Sequence, residues 1–375
     1  MPSSISRRRC LQQLALTASV ASLPRVLQAA DVPAPDKTQT EAIAAIAKAF
    51  MEKYSVPGMA VAFTVKDQPA FCTGYGMADK DAGDKVGNGN LFRIASLAKP
   101  VTAVAILQYA EQGKLKLDDP VFGKDKWIPT GDLPDETLAK LQPVTIRHLL
   151  HHTCGGWGND GNDPMFQHEE MGHTDLIAIT LKEQALKNTP GTNYSYSNFG
   201  YCLLGRIIEK ISGKSYEDHV KAAVLKPCGI STMRIGGNTR EERVKGEVIY
   251  YGGGERVYNM NVRRMDSHGG WLASAEDYAK FLAHTGKAGG LLKPETVATM
   301  ATAPECHPEY ACGWSVNKAG NLWHTGSLPG TSTIGVRTSS GLCWAAFTNN
   351  RCDGIAGALD RMMWDMAKAV PAWKA

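Results

Sequence analysis

The chain has 375 residues, 43% of them hydrophobic, enough to bury a large core arranged as two subdomains. Its formal charge of +4 traces to the first thirty residues, where Arg7, Arg8, Arg9 and Arg25 stand without an acid; setting these aside leaves 37 basic residues against 37 acidic ones. That balance argues against nucleic acid or an anionic membrane surface as a partner. No run approaches the roughly 18 apolar residues of a spanning helix.

The chain opens on Ser6-Arg7-Arg8-Arg9-Cys10-Leu11-Gln12, which resembles a twin-arginine export signal. A weakly apolar stretch, Leu14 to Leu23, and the small residues of Gln28-Ala29-Ala30 complete the pattern. Residues 1–30 are therefore expected to be a signal peptide, and the mature chain to work in the periplasm. Residues 38–54 follow as an amphipathic helix, with Ala42, Ile43, Ile46, Ala49 and Phe50 at helical spacing. Gly58–Lys66 and Pro69–Met77 alternate as a hairpin around Asp67-Gln68. Next comes a long amphipathic helix over 101–115, with Val104, Ile106, Leu107 and Ala110 as its apolar positions. Pro100 fixes its start, since proline is tolerated only in the first turn. A short helix covers 144–151, and the polar, glycine-rich 154–173 reads as a loop over a site.

Helical signal returns at Thr174, a possible N-cap, and runs to Leu225. Within it the apolar run 201–211 is stopped by Gly213, and Ser215-x-x-Asp218 has the form of a capping box. Residues 249–264 are irregular. A helix starts at Ser274-Ala-Glu-Asp277 and ends near Gly286. Short strands at 313–316, 322–324, 332–338 and 343–348 precede a last helix over 354–367. Strands at both ends with helices between predict an α/β fold of the α+β kind. Its antiparallel sheet, flanked by the terminal helices, comes from residues 31–95 and 265–375; residues 96–264 form an inserted, mainly helical subdomain, and the site lies between the two.

Three short motifs carry chemistry. In Ser96-x-x-Lys99 the hydroxyl and the amine, three residues apart, share a helix face, and an amine of lowered pKa can take a serine proton. Ser315-x-x-Lys318 has the same spacing, but in a strand and turn. Tyr196-Ser197-Asn198 precedes a helix; a tyrosine of depressed pKa serves as acid or base, and an asparagine amide orients a lysine and a substrate amide. His324-Thr325-Gly326-Ser327 lies on an edge strand, where Gly326 lets a substrate backbone come close and Ser327 N–H is a possible oxyanion donor. The second His-Thr-Gly, at 284–286, marks a helix end.

Together these motifs resemble the triplet of the serine β-lactamase and penicillin-binding protein superfamily, Ser-x-x-Lys, Tyr-x-Asn and Lys/His-Thr-Gly, in that order. Leu117-Asp-Asp-Pro-Val121, Ile146-Arg-His-Leu-Leu150 with His152-Thr153, the Ser212-Gly-x-Ser-Tyr216 turn and Gly269-Gly270 extend the likeness over 38–368. It implies a β-lactamase/transpeptidase-like fold and an acyl-enzyme mechanism. Ser96 would be the nucleophile, with Lys99 and Tyr196 sharing the base work. Ser96 and Ser327 N–H groups would form the oxyanion hole, and Asn198 would hold the acyl amide and Lys99. His324 stands where class C β-lactamases carry lysine, and resembles the carboxypeptidases, esterases and amidases of the group. With an ordinary pKa near about 6.5 it attracts a substrate carboxylate less than an ammonium does at neutral pH, and more as pH falls.

The substrate is thus expected to be a small molecule or peptide bearing an ester or amide. D-alanyl-D-alanine carboxypeptidase or β-lactamase activity is the alternative, and a sensor-like module that stays acylated is a third reading. No cofactor or metal is implied: the histidines 148, 151, 152, 168 and 173 have no ligand spacing. Trp157, Trp271 and Trp323 are candidates to line the cleft against plain core roles, and the run from Arg263 to His268 is either a cleft wall or a solvated connector. Cys306 and Cys312 are near enough in sequence to bridge, which spacing alone does not establish. Oligomeric state is left open.

Overall fold

A computed structural model describes residue 32, residues 34–286 and residues 290–373. The Arg7-Arg8 pair and the cleavage expected near Ala29-Ala30 lie outside the described residues. Helix α1 (Lys37–Lys53) starts from a complete capping box between Asp36 and Gln39 and buries Ile43, Ala47 and Phe50 at helical spacing. Strands β1 (Gly58–Val65) and β2 (Gln68–Asp79) form the expected hairpin. Its tight turn is Lys66-Asp67, one residue earlier than the sequence suggests, and both residues adopt the positive φ that two-residue hairpin turns favour. Two short strands, β3 (Asp84–Lys85) and β4 (Phe92–Arg93), lead into a 3₁₀ turn over Ala95–Leu97 and then α2 (Ala98–Glu111).

Helices α3 (Asp135–Leu141), α4 (Ile146–Leu150), α5 (His173–Glu183), α6 (Asn198–Ser212) and α7 (Tyr216–Val220) come next, with the short β5 (Arg234–Ile235) after them. Gly213 ends α6 in the left-handed conformation, and Ser215 caps α7, accepting from Asp218 N–H. The α5 cap is Gly172 rather than Thr174. The chain then runs through β6 (Trp271–Ala273), α8 (Ala275–Thr285), α9 (Pro294–Met300), β7 (Ser315–Val316), β8 (Leu322–Leu328), β9 (Thr331–Arg337), β10 (Cys343–Thr348) and α10 (Ile355–Lys368). Gly286 follows α8, so His284-Thr285-Gly286 is a helix end, and Ser315 lies on β7, so its lysine three residues on is a turn residue.

The sheet has the order β3-β2-β1-β10-β9-β8-β7, antiparallel throughout. The N-terminal hairpin joins the C-terminal meander where Met59 faces Thr348 and Thr64 faces Cys343. A second small sheet, β4-β6-β5, pins the Ser96 turn to the segment after residue 265. One apolar cluster covers one sheet face beneath α1 and α10; the larger one fills the other face and continues through α2, α6 and α8. In consequence α2 is not amphipathic: Ala98 to Leu107 are all buried, because the helix passes between sheet and helical layer.

Strand β8 is longer than the sequence indicates and packs directly on the Ser96 turn. Gly326 makes this possible, since a Cβ there would lie 2.2 Å from Thr333 Oγ1 and 2.3 Å from the Ile94 carbonyl oxygen. Its smallness thus serves the approach of the Ser96 turn to β8. Gly326→Ala is expected to destabilise the fold by about 1–3 kcal/mol or more through overpacking. The measurement is the urea midpoint; an unchanged midpoint would show that strand and turn separate freely.

Candidate active site

Ser96 projects from a turn that the surrounding structure over-determines. Ala95 adopts φ +50°, a left-handed conformation that costs a non-glycine residue about 1–3 kcal/mol. Hydroxyls on β9 hold it there: Thr331 donates to the Arg93 carbonyl at 2.9 Å and Thr333 to the Ile94 carbonyl at 2.9 Å. The N–H of Arg93 is taken by Tyr250 Oη at 2.8 Å, and that of Ile94 by the Trp271 carbonyl at 2.9 Å. The turn feeds α2, whose Lys99 side chain has no solvent exposure.

Lys99 Nζ lies 2.7 Å from Asn198 Oδ1, 3.0 Å from the His268 carbonyl and 3.1 Å from Ser96 Oγ. Burial drives the amine well below the usual lysine range, against an opposing pull from the Asp163 carboxylate. A neutral amine has two hydrogens and one lone pair. The amide and carbonyl oxygens can only accept, so they take the hydrogens, and the lone pair faces the Ser96 hydroxyl.

Asn198 is oriented in turn by residues that no motif pointed to. Its Nδ2 donates to Asp163 Oδ2 at 2.7 Å and to Asn159 Oδ1 at 3.3 Å, which leaves Oδ1 for Lys99. Burial pushes the Asp163 carboxyl up to about 6, opposed by hydrogen bonds from Asn198 and from Met165 N–H. The loop carrying Asp163 is clamped by the buried Arg264, whose guanidinium donates to the carbonyls of Met165, Gln167, His168 and Met171. The 154–173 loop and the segment carrying Asn261 and Arg264 are thus tied together, and the Arg263–His268 run is neither wall nor solvated connector alone.

Tyr196 hydrogen-bonds Ser96, and Lys99 Nζ sits 4.6 Å from the centroid of its ring. Burial raises its phenol above the ordinary range, so the expectation of a depressed pKa is corrected: the resting side chain is a phenol. His324, on the buried face of β8, is pushed down to about 3, first by burial and then by Lys99. It does not titrate near 6.5, and the expected gain of positive charge on mild acidification is withdrawn. Thr325 and Ser327 share the exposed face of β8. Partner β7 reaches only Leu322 and Trp323, so beyond them the outer edge of β8 has no strand partner among the described residues.

A cleft of about 510 Å³ opens over these groups, lined among others by Ser96, Asn159, Asn198, Gly269, Ser327 and Arg351. Of the tryptophans, Trp271 is fully buried on β6 with its indole N–H 3.3 Å from Tyr216 Oη. Trp157 packs edge-on against Phe122 and Phe199 and donates to the Gln184 carbonyl at 3.0 Å. Trp323 packs into the apolar cluster under α1 and α10. All three are packing residues, because each points into a layer the fold has to fill. His148 caps α4, reaching back to Thr145 N–H, and Cys312 lies unpaired against His151 while Cys306 is exposed.

A family model described as Beta-lactamase matches residues 43–356. The chain is 35% identical over 167 residues to Penicillin-binding protein 4* of Bacillus subtilis, a match covering 43% of this chain and only 34% of that protein. It is 27% identical over 349 residues to Esterase EstB of Burkholderia gladioli, covering 78% of this chain and 86% of that one. Among solved structures, the D-amino acid amidase from Ochrobactrum anthropi SV3 superposes with a TM-score of 0.74 at 21% identity, over 90% of this chain and 99% of the other, a likeness of fold. The chain belongs to the beta-lactamase family.

Proposed function

We propose that this protein is an exported serine hydrolase that cleaves esters or small amides through an acyl-enzyme on Ser96. The observation that carries the reading is the fully buried Lys99 amine, held by two acceptors so that its lone pair faces Ser96 Oγ. In acylation the Ser96 proton passes to Lys99 as Oγ attacks the carbonyl, with the developing oxyanion at the Ser96 and Ser327 N–H groups. The Tyr196 phenol gives its proton to the leaving group, and the Lys99 ammonium steadies the phenolate. In deacylation the phenolate takes a proton from water, hydroxide attacks the acyl carbonyl, and Lys99 returns its proton to Ser96. Both bases end as they began.

Similarity along most of the length of Esterase EstB supports ester turnover. β-Lactamase or D-alanyl-D-alanine carboxypeptidase action is the alternative; it needs a hold on a substrate carboxylate that a neutral His324 does not give. Arg256 and Arg351 edge the cleft but are exposed, where an ion contact contributes roughly 0.2–1 kcal/mol. The arginine pair at 7–8 and the small residues at 29–30 support export to the periplasm. N-terminal sequencing from the native host, finding Met1 or Pro2, would remove that part of the reading.

Intact-protein mass spectrometry after exposure to a fluorophosphonate is expected to find one adduct, absent in Ser96→Ala, with ester turnover lost by several orders of magnitude. An adduct surviving on Ser197 or Ser315 would overturn the assignment. Wild type is expected to have a higher kcat/KM for a nitrophenyl ester than for benzylpenicillin; the reverse by a wide margin makes the protein a β-lactamase proper.

A pH prediction follows from Asp163. Its carboxylate raises the Lys99 pKa, and Lys99 acts only when neutral, so removing the charge is expected to extend activity to lower pH. The acidic limb of kcat/KM in Asp163→Asn should lie below that of wild type, as a pH–rate series would reveal. For stability the sign is opposite to that of a salt-bridged acid. The folded value, about 6, exceeds the usual 3.8, so the contribution is present below 3.8 and is lost as pH rises through about 6.

A further inference from the structure

Behind Tyr196 lies a buried file of hydrogen bonds that the proposed mechanism leaves unused. Ser197 N–H is 3.0 Å from His152 Nδ1, and His152 Nε2 is 3.1 Å from Tyr310 Oη. Tyr310 Oη is 3.0 Å from His324 Nε2, and His324 Nδ1 is 2.6 Å from the Thr325 carbonyl oxygen. The residues just after α4 meet here a distant part of the chain, the segment before β7 and β8.

Both ends of the file have a fixed polarity. A backbone N–H can only donate, so His152 Nδ1 is an acceptor, and a neutral His152 carries its proton on Nε2. That proton points at Tyr310 Oη. A carbonyl can only accept, so His324 Nδ1 carries a proton at the other end. The single Tyr310 hydrogen then has two possible acceptors, His324 Nε2 and the Tyr201 phenol, which also hydrogen-bonds Tyr310. Tyr201 commits its own hydrogen to the Leu150 carbonyl at 2.9 Å, so toward Tyr310 it can only accept.

The choice decides the charge on His324. With the Tyr310 hydrogen turned to His324, the ring is neutral and protonated on Nδ1 alone. With it turned to Tyr201, Nε2 must supply a proton of its own, and His324 is a cation. The groups that bear on the two rings are Lys99 from α2, His151 just after α4 and His307 from the segment before β7, with Tyr194 and Tyr196 from the stretch leading into α6 and Tyr201 from α6 itself. None of these is a carboxylate, and the one contact that favours a cationic His324, the Thr325 carbonyl, is outweighed by burial and by Lys99.

Resting on the acyl-enzyme reading of the same site, the geometry points to Tyr310 and His152 as positioning residues: they hold His324 neutral, with its proton on Nδ1, so that Lys99 is the one basic group beside Tyr196 that changes charge. A cationic His324, its ring centroid 6.1 Å from that of Tyr196, would stabilise the phenolate and blunt it as the base for water.

The test reads proton positions directly. In the wild-type protein labelled with ¹⁵N-histidine, long-range ¹H–¹⁵N spectra near neutral pH are expected to give opposite tautomers for the two rings, His324 protonated on Nδ1 and His152 on Nε2. Loss of one ring's signals in His324→Gln assigns that residue. In Tyr310→Phe the His324 titration is expected to rise by about one pH unit or more, since the donor to its bare nitrogen is gone. A wild-type His324 that is protonated on Nε2 overturns the inference, and so does an unchanged His324 tautomer and titration in Tyr310→Phe. Should Tyr310→Phe not fold, the two wild-type tautomers decide alone. Fluorophosphonate labelling of wild type separates the two claims: unlabelled Ser96 sinks the acyl-enzyme reading, whereas labelled Ser96 with the wrong tautomers sinks only this one.

Discussion

The desolvated amine of Lys99 is the constraint on which the site depends. A lysine removed from water strongly favours its neutral form, and isolated buried ammonium groups are too costly to persist. Here the burial is a property of the whole fold, because α2 is enclosed on every side between the sheet and the helical layer. Enclosure by itself would leave a polar amine unsatisfied. Asn198 Oδ1 and the His268 carbonyl resolve that by accepting its two hydrogens, and they come from two different parts of the chain. The direction of the lone pair is what remains, and it falls on Ser96.

The same economy governs the Ser96 turn. A left-handed Ala95 would relax if the turn were free. It is not free, because Thr331 and Thr333 reach from β9 to the carbonyls just before it and β8 presses on it through the bare Cα of Gly326. Strain at the Ser96 turn is therefore held by the sheet, and the sheet is closed by pairing the first hairpin with the last strand. A change at the β1–β10 seam would be transmitted to Ser96 without touching it.

Much of this was legible in the sequence, for identifiable reasons. Ser96, Lys99, Tyr196 and Asn198 announce themselves because local spacing, three residues on a helix or two across a cap, is also their spatial relation. The terminal strands were readable from alternation, and Gly213, Gly286 and Ser215 from cap chemistry. What sequence missed depends on contacts of long range. Asp163 sits in a loop with no periodicity, and only the fold brings it to Asn198; Arg264 looks like any surface cation until its four carbonyls are in view. Trp271 beside a glycine pair reads as a cleft residue, yet β6 turns it into the core. The period of α2 misled because a helix buried all round has no polar face to oppose the apolar one. His324 was read with an ordinary pKa, and burial is not a property of sequence.

The buried histidines bring these threads together. Lys99, His152 and His324 are all buried; Lys99 adds to the depression of both histidines, and His324 adds to that of His152. A cluster of that kind tolerates about one positive charge, since a second would face like charge without solvent to screen it. Which group carries the charge is then a matter of hydrogen-bond supply, not of intrinsic basicity. Both nitrogens of His152 face partners whose polarity suits a neutral ring, and those of His324 do so while the Tyr310 hydrogen is turned toward it, whereas Lys99 faces a hydroxyl that can either give or take a proton. With Tyr310 so turned, the amine is the member of the cluster whose partners allow both states, and that asymmetry, not the amine alone, is what the proposed transfer of the Ser96 proton requires.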